Sequence, residues 1–182
     1  MKKIVNSAFA KSFVQFIIVT VAALPTGSAL AEPAPCDAPA FICMYGEWES
    51  VGVRAEPARI FEAMPEQKAA HYITGKPASV MPGIDFIVRQ DIAGETKISG
   101  LTYAYDRAVN KSFGIITGAD GSVIRGMISH ESEKDIVVLF NAIDEVVWRE
   151  EHVWVSPDEF HTEAVFTFEG ADARVWFVTK RK

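Results

Sequence analysis

The chain has 182 residues, with 18 Lys and Arg against 24 Asp and Glu and a formal net charge of −6 at pH 7. This length corresponds to one domain, and the acidic balance disfavours nucleic acid and anionic lipid as partners. The sequence carries no motif typical of a nucleophile, a metal site or a phosphate-binding loop, so the fold is the main guide to function.

The N-terminus has the pattern of a cleaved export signal. Three lysines accompany an apolar stretch at 13–24, which is too short for a comfortable membrane span, and Ala-Leu-Ala at 29–31 fits a cleavage site. We expect cleavage before Glu32 and a periplasmic or secreted product with no stable membrane insertion. Residues 1–31 are then the signal peptide, and 32–182 form a single domain.

The two cysteines, Cys36 and Cys43, both lie near the predicted mature N-terminus. In an oxidising compartment we expect them to form a disulfide, which would contribute about 2.5 kcal/mol in the chain-entropy model. Two separate thiols are the alternative. A redox role is not expected, because the spacing is not Cys-x-x-Cys.

In chain order, residues 41–54 are β-like, and residues 57–72 predict a short helix or an irregular segment. Further strands are predicted at 84–90, 96–107, 112–117, 123–129, 136–142, 146–155, 160–168 and 173–180. The result is an all-β, antiparallel meander of about eight or nine strands. Closing the meander on itself satisfies its outer strands, so we expect a single barrel.

Two patterns carry a family resemblance. Gly46-x-Trp48, together with Arg181 or Lys180 at the end of the last strand, resembles the lipocalin closure signature, in which a cation lies over the indole. The chain from Gly83 to Arg181, about two thirds of the mature protein, looks like bacterial lipocalin-like barrels catalogued as a domain of unknown function. The segments that carry this likeness are Gly83-Ile84-Asp85-Phe86, Gly100, Tyr105-Asp106, Asp120-Gly121 and Trp154 followed by Ser156-Pro157-Asp158-Glu159-Phe160. The resemblance implies a calycin-type barrel with an interior, and it brings no catalytic residues.

The segment from 146 to 180 predicts which side chains face that interior. A two-residue turn at Pro157-Asp158 would put Arg149 and Glu151 on the more apolar face. Charges buried there would pair with each other or with a ligand. The predicted ligand-binding residues are Arg149, Glu151, Tyr103, Phe160, Phe166 and Phe177, with Phe168 beside them, and the ligand is expected to be uncharged or weakly anionic and largely apolar. The alternatives are that the two charges are solvated at the barrel mouth and that Tyr103 only packs in the core.

The opposite register would place His152, His161, Glu150 and Glu163 inside, with His152 opposite Glu163. A His–carboxylate pair could perform acid–base chemistry, and two His with carboxylates could hold Zn²⁺. The candidate catalytic residues are therefore Glu151, His152, His161 and Glu163, although cross-strand His and Glu on a wet face need no function. We expect no metal and no cofactor. His71 and His130 fall in loop-like segments and are predicted to be solvated.

Three function classes follow. The first is a carrier or sensor of a small apolar or aromatic molecule, which needs only a cavity and a polar anchor. The second is a cofactor-free isomerase or lyase that uses a buried Glu151 or His152. The third is a structural or interaction module with a filled barrel. A cavity above about 300 Å³ would favour the first two classes.

Overall fold

The computed structural model describes residues 38–79 and 82–182. The predicted leader, its cleavage site and Cys36 lie outside the described residues, so export and the disulfide stay predictions. No helix in this described part is long and apolar enough to cross a membrane.

Ten antiparallel strands within the described ranges form a closed barrel, in which each strand pairs with the next and the last pairs with the first. The strands are β1 Gly46–Glu56, β2 His71–Pro77, β3 Gly83–Ile92, β4 Glu95–Asp106, β5 Lys111–Thr117, β6 Val123–Glu131, β7 Lys134–Phe140, β8 Val146–Ser156, β9 Glu159–Phe168 and β10 Ala171–Arg181. The all-β fold is confirmed. The predicted count of eight or nine strands is roughly right. It is one or two strands short of the observed ten, and the missing strand is β2.

Short helical segments flank β1. A 3₁₀ helix spans Ala40–Cys43 before it, and α1 (Ile60–Ala63) with a second 3₁₀ helix (Pro65–Gln67) follows it, inside the segment predicted at 57–72. The second 3₁₀ helix crosses close to β1 at Gly52. A Cβ on Gly52 would lie 1.9 Å from the carbonyl oxygen of Gln67, so only glycine permits this approach.

The strand sequences explain their own pairing. Along β9 and β10, every second side chain is buried, because successive side chains of a strand point to opposite faces. The turn between them is Glu169-Gly170, where both residues have a positive φ as a type I′ hairpin requires. This turn lies one residue before the expected position, and the predicted faces of β9 and β10 are unchanged.

Two clusters of buried side chains fill opposite ends of the barrel. At the end that contains Trp48, the first core cluster brings Phe41 and Ile42 of the first 3₁₀ helix against Trp48 and Phe86. At the other end, the second core cluster places Ile60 of α1 against Val175 and its neighbours. We refer to these as the Trp48 end and the α1 end.

A bulge in β8 decides which of its residues face inward. Ser156 pairs with Glu159, as the predicted turn requires, but the next pair is Trp154 with Phe160, so the pairing skips Val155. One extra residue moves all the preceding β8 side chains to the opposite face while β9 keeps its own. The predicted interior face is therefore correct for β9 and wrong for β8.

The inner face of β8 consequently carries polar and aromatic side chains. They are Trp148, Glu150, His152 and Trp154. Arg149 and Glu151 lie on the outer face, so the prediction that they point into the barrel is wrong.

Candidate functional site

A cavity of about 320 Å³ lies between the two core clusters. This volume lies at the lower end of the range that is typical of small-molecule binding pockets, about 300 to 1,000 Å³. Ten of the 17 described residues that line it are apolar or aromatic, and the polar ones include Glu150 and His152, which lie together on β8. The lining residues are Phe41, Met44, Ser50, Gln67, His71, Ile73, Phe86, Val88, Leu101, Leu139, Trp148, Glu150, His152, Phe160, Thr162, Phe177 and Thr179.

The polar group is centred on Glu150. Its Oε1 accepts a hydrogen bond from Trp148 Nε1 at 2.7 Å, and its Oε2 lies 2.7 Å from His152 Nε2. The three residues are spaced by two along β8, which places them on one face of the strand. The other ring nitrogen of His152 lies 3.3 Å from the hydroxyl oxygen of Thr162 on β9. His152 is thereby held between two strands.

These contacts keep Glu150 ionised. Burial raises the pKa of Glu150, but its interactions with His152 and the hydrogen bond from Trp148 lower it by more, so the pKa lies below its ordinary value. The side chain keeps 23% of its surface exposed, against 6% for His152. The cavity therefore contains a carboxylate at neutral pH.

His71 contributes a second polar group from β2. Its Nδ1 is buried and has no hydrogen-bond partner among the described residues. Burial lowers the pKa of His71, although the Ser50 backbone and the charges of Glu150 and Glu66 oppose this shift. The ring packs edge-on to Phe177, with centroids 5.8 Å apart. The prediction that His71 is solvated is wrong, because residues 71–77 form a strand of the barrel wall.

The predicted aromatic site residues divide into two groups. Phe160 and Phe177 line the cavity, as expected. Phe166 instead stacks on Trp148, with centroids 4.4 Å apart and an interplanar angle of 11°. Tyr103 is 1% exposed and belongs to the first core cluster. A Cβ on Gly126 would lie 2.6 Å from the Tyr103 hydroxyl, so this tyrosine fills space that the glycine leaves open.

Of the predicted charged and titratable site residues, His152 lines the cavity, whereas Arg149, Glu151, His161 and Glu163 lie outside it. Arg149 is exposed on the outer face and pairs in the ladder with Val165. The other three make surface ion pairs: Glu151 with Lys134 at 3.3 Å, His161 with Glu159 at 3.0 Å and Glu163 with Arg174 at 2.7 Å. Such pairs on a solvated face need no function.

The zinc alternative also fails on geometry. His152 pairs across the strands with Thr162 rather than with Glu163, and His161 lies on the opposite side of the barrel wall from His152. Within the described ranges, no group of three or more His, Cys, Asp and Glu side chains is placed to hold a metal ion.

A second buried polar array, which the sequence reasoning missed, lies at the Trp48 end. The Ser112 hydroxyl is 2.9 Å from His130 Nε2, and His130 Nδ1 is 2.7 Å from Asp135 Oδ1. Trp154 Nε1 donates to the other oxygen of Asp135 at 2.8 Å. Since a carboxylate only accepts, His130 carries a proton on Nδ1.

This array has the Ser–His–Asp order of a catalytic triad. Ser112 is fully buried, however, and His130 and Asp135 are 8% and 3% exposed. No substrate carbonyl can reach a sealed hydroxyl, so the array joins β5, β6, β7 and β8 and does not form a nucleophilic site. The prediction that His130 is solvated is wrong. His130 and Asp135 pair across the β6–β7 hairpin, whose turn at Ser132-Glu133 is shorter than the loop-like segment predicted around His130.

No protein-family model, curated protein or solved structure matches the chain. The likeness to lipocalin-like barrels thus stays an expectation.

Proposed function

We propose that the mature barrel is an exported, lipocalin-like protein that binds a small apolar or aromatic molecule in its cavity. The observation that carries this proposal is the cavity of about 320 Å³ with a mostly apolar lining and one ordered polar group at Glu150. Ligand sites typically combine an apolar wall, which excludes water, with a few polar groups that fix orientation.

A cofactor-free isomerase or lyase is the second candidate, since an ionised carboxylate in an apolar site can abstract a proton. The base would be Glu150 and not the predicted Glu151. A general base is most effective when its pKa is near the working pH, whereas the pKa of Glu150 is lowered. This favours binding over catalysis. A filled interaction module is disfavoured by the cavity itself.

The proposal is tested by filling the cavity. Val88 lines it from β3, while its neighbour Ile87 is 49% exposed on the outer face. The probe is N-phenyl-1-naphthylamine, an uncharged apolar dye whose fluorescence rises in apolar surroundings. We expect wild-type protein and Ile87→Trp to bind the dye, and Val88→Trp to bind it at least tenfold more weakly, because the indole occupies the ligand's space.

Circular dichroism and thermal unfolding establish that both variants fold. Equal dye binding by a folded Val88→Trp protein, or no binding by the wild type, would contradict the proposal.

A further inference from the structure

The cavity lining carries a negative charge that no lysine or arginine of its described lining balances. Glu150 is the one carboxylate among the described residues that line it, and no Lys or Arg lies in that lining set. Each Glu150 oxygen takes part in one hydrogen bond with the protein. An ionised carboxylate has about four lone-pair sites, so about two remain for a ligand.

His71 brings an imidazole to the wall of the same cavity. A neutral imidazole has one nitrogen that accepts and one that donates. The neutral form is favoured because burial lowers the pKa of His71, and its buried Nδ1 has no partner within the described part of the chain. A ligand with several donors would satisfy both His71 and Glu150.

The aromatic lining suits a positive charge as well. Trp148, Phe160 and Phe177 all line the cavity, and the faces of aromatic rings attract cations. Phe166 stacks on Trp148 and holds its indole in place beside Glu150.

We propose that the ligand is a small organic cation, with a primary ammonium group held by Glu150 and His71 and an apolar or aromatic body against Phe160 and Phe177. This inference rests on the proposed function. An ammonium group has three donors and no acceptor, which matches the free acceptors of the site. A hydrogen bond with charge on both partners is roughly twice as strong as a neutral one.

This ligand class replaces the expected uncharged or weakly anionic molecule. That expectation depended on an inward Arg149, which the β8 bulge places outside. An anion in the cavity would instead meet Glu150 at short range in a poorly solvated site, where like charges repel strongly.

The test compares three molecules of similar shape: 2-phenylethylammonium, 2-phenylethanol and phenylacetate. Their affinities for the mature protein are measured by calorimetry at pH 8 with wild type, Glu150→Gln and Glu151→Gln. We expect wild type to bind the ammonium at least tenfold more tightly than the alcohol, and phenylacetate most weakly. Glu150→Gln should bind the ammonium and the alcohol equally, while Glu151→Gln, which neutralises the adjacent outward carboxylate, should keep the preference.

Glu150→Gln is expected to fold, because His152 can change its tautomer. Its Nε2 would then accept from the new amide, and its Nδ1–H would donate to Thr162. If thermal unfolding shows that this variant is not folded, His71→Phe replaces it. His71→Phe keeps an aromatic ring but removes both ring nitrogens. It should reduce the preference for the ammonium several-fold without weakening the binding of the alcohol.

Two results would overturn the inference and leave the proposed function standing. The first is equal affinity of the wild type for the ammonium and the alcohol. This result would be expected if His152 were an imidazolium that cancels the charge of Glu150. The second is an ammonium preference that survives in a folded Glu150→Gln protein. Failure of the wild type to bind N-phenyl-1-naphthylamine would instead contradict the proposed function itself.

Discussion

The guanidinium carbon of Arg181 lies 4.3 Å from the ring centre of Trp48. Trp48 is near the start of β1, Arg181 ends β10, and the two residues pair where the barrel closes. The predicted packing of a basic residue over this indole is confirmed. Arg181 fills the role, whereas Lys180 forms an ion pair with Glu159 at 3.2 Å.

Trp48→Ala should therefore lower the free energy of unfolding by about 3 to 5 kcal/mol, because it empties a large, fully packed site. Trp176 is the matched control, since Arg54 lies 4.4 Å over its ring but the pair is on the outer face. Trp176→Ala should cost about 2 kcal/mol or less. Urea denaturation measures both, and equal losses would exclude a special role for Trp48 in closure.

We expect the buried array at Asp135 to contribute to stability and its Ser112 hydroxyl to be unreactive as a nucleophile. Asp135→Ala leaves the donors of His130 and Trp154 unpaired, so it should cost about 2 to 5 kcal/mol in urea denaturation. Ser112→Ala removes a single hydroxyl and should cost about 1 to 2 kcal/mol.

The Ser112 hydroxyl should also fail to react with a fluorophosphonate in the native protein. Covalent labelling at Ser112, detected by mass spectrometry, would show that the site opens and that the array is a nucleophilic centre.

Much of the architecture could be predicted from the sequence, because strand alternation and turn residues act locally. The strand faces of β9 and β10 follow from alternating side chains and one hairpin turn. The β8 face could not be obtained in this way, since the bulge at Val155 has no distinctive residue and moves every side chain beyond it. Because the pairing skips Val155, Glu150 and His152 lie in the interior, where Arg149 and Glu151 were expected.

The missed strand has a similar cause. β2 is short and contains Gly75 and Pro77, which are typical of loops, so its pairing with β1 and β3 outweighs its local preference. The functional consequence was large, because this strand carries His71 into the cavity.

Export predicts a defined mature protein. Sequencing of the secreted product should begin at Glu32, and mass spectrometry should find Cys36 and Cys43 joined. Cys43→Ser removes the predicted disulfide, so it should lower the free energy of unfolding by about 2.5 kcal/mol in the chain-entropy model. An intact leader on a soluble product, or two thiols that alkylate without reductant, would contradict this prediction.

The pH dependence of stability should reveal His71. Because burial lowers its pKa below the ordinary value of 6.5, the unfolded chain binds this proton more readily than the native protein. The free energy of unfolding should therefore fall as the pH decreases from about 7 to 5. Glu150, whose pKa is lowered from 4.5, acts in the same direction but only below about pH 4.5.

Urea denaturation at a series of pH values separates the contribution of His71. His71→Phe should flatten the dependence between pH 7 and 5, because it removes the buried imidazole. His161→Gln is the control, since that ring lies exposed on the outer face beside Glu159, and it should keep the wild-type slope. A His71→Phe protein whose stability falls as steeply as that of the wild type would show that the buried imidazole is not the source.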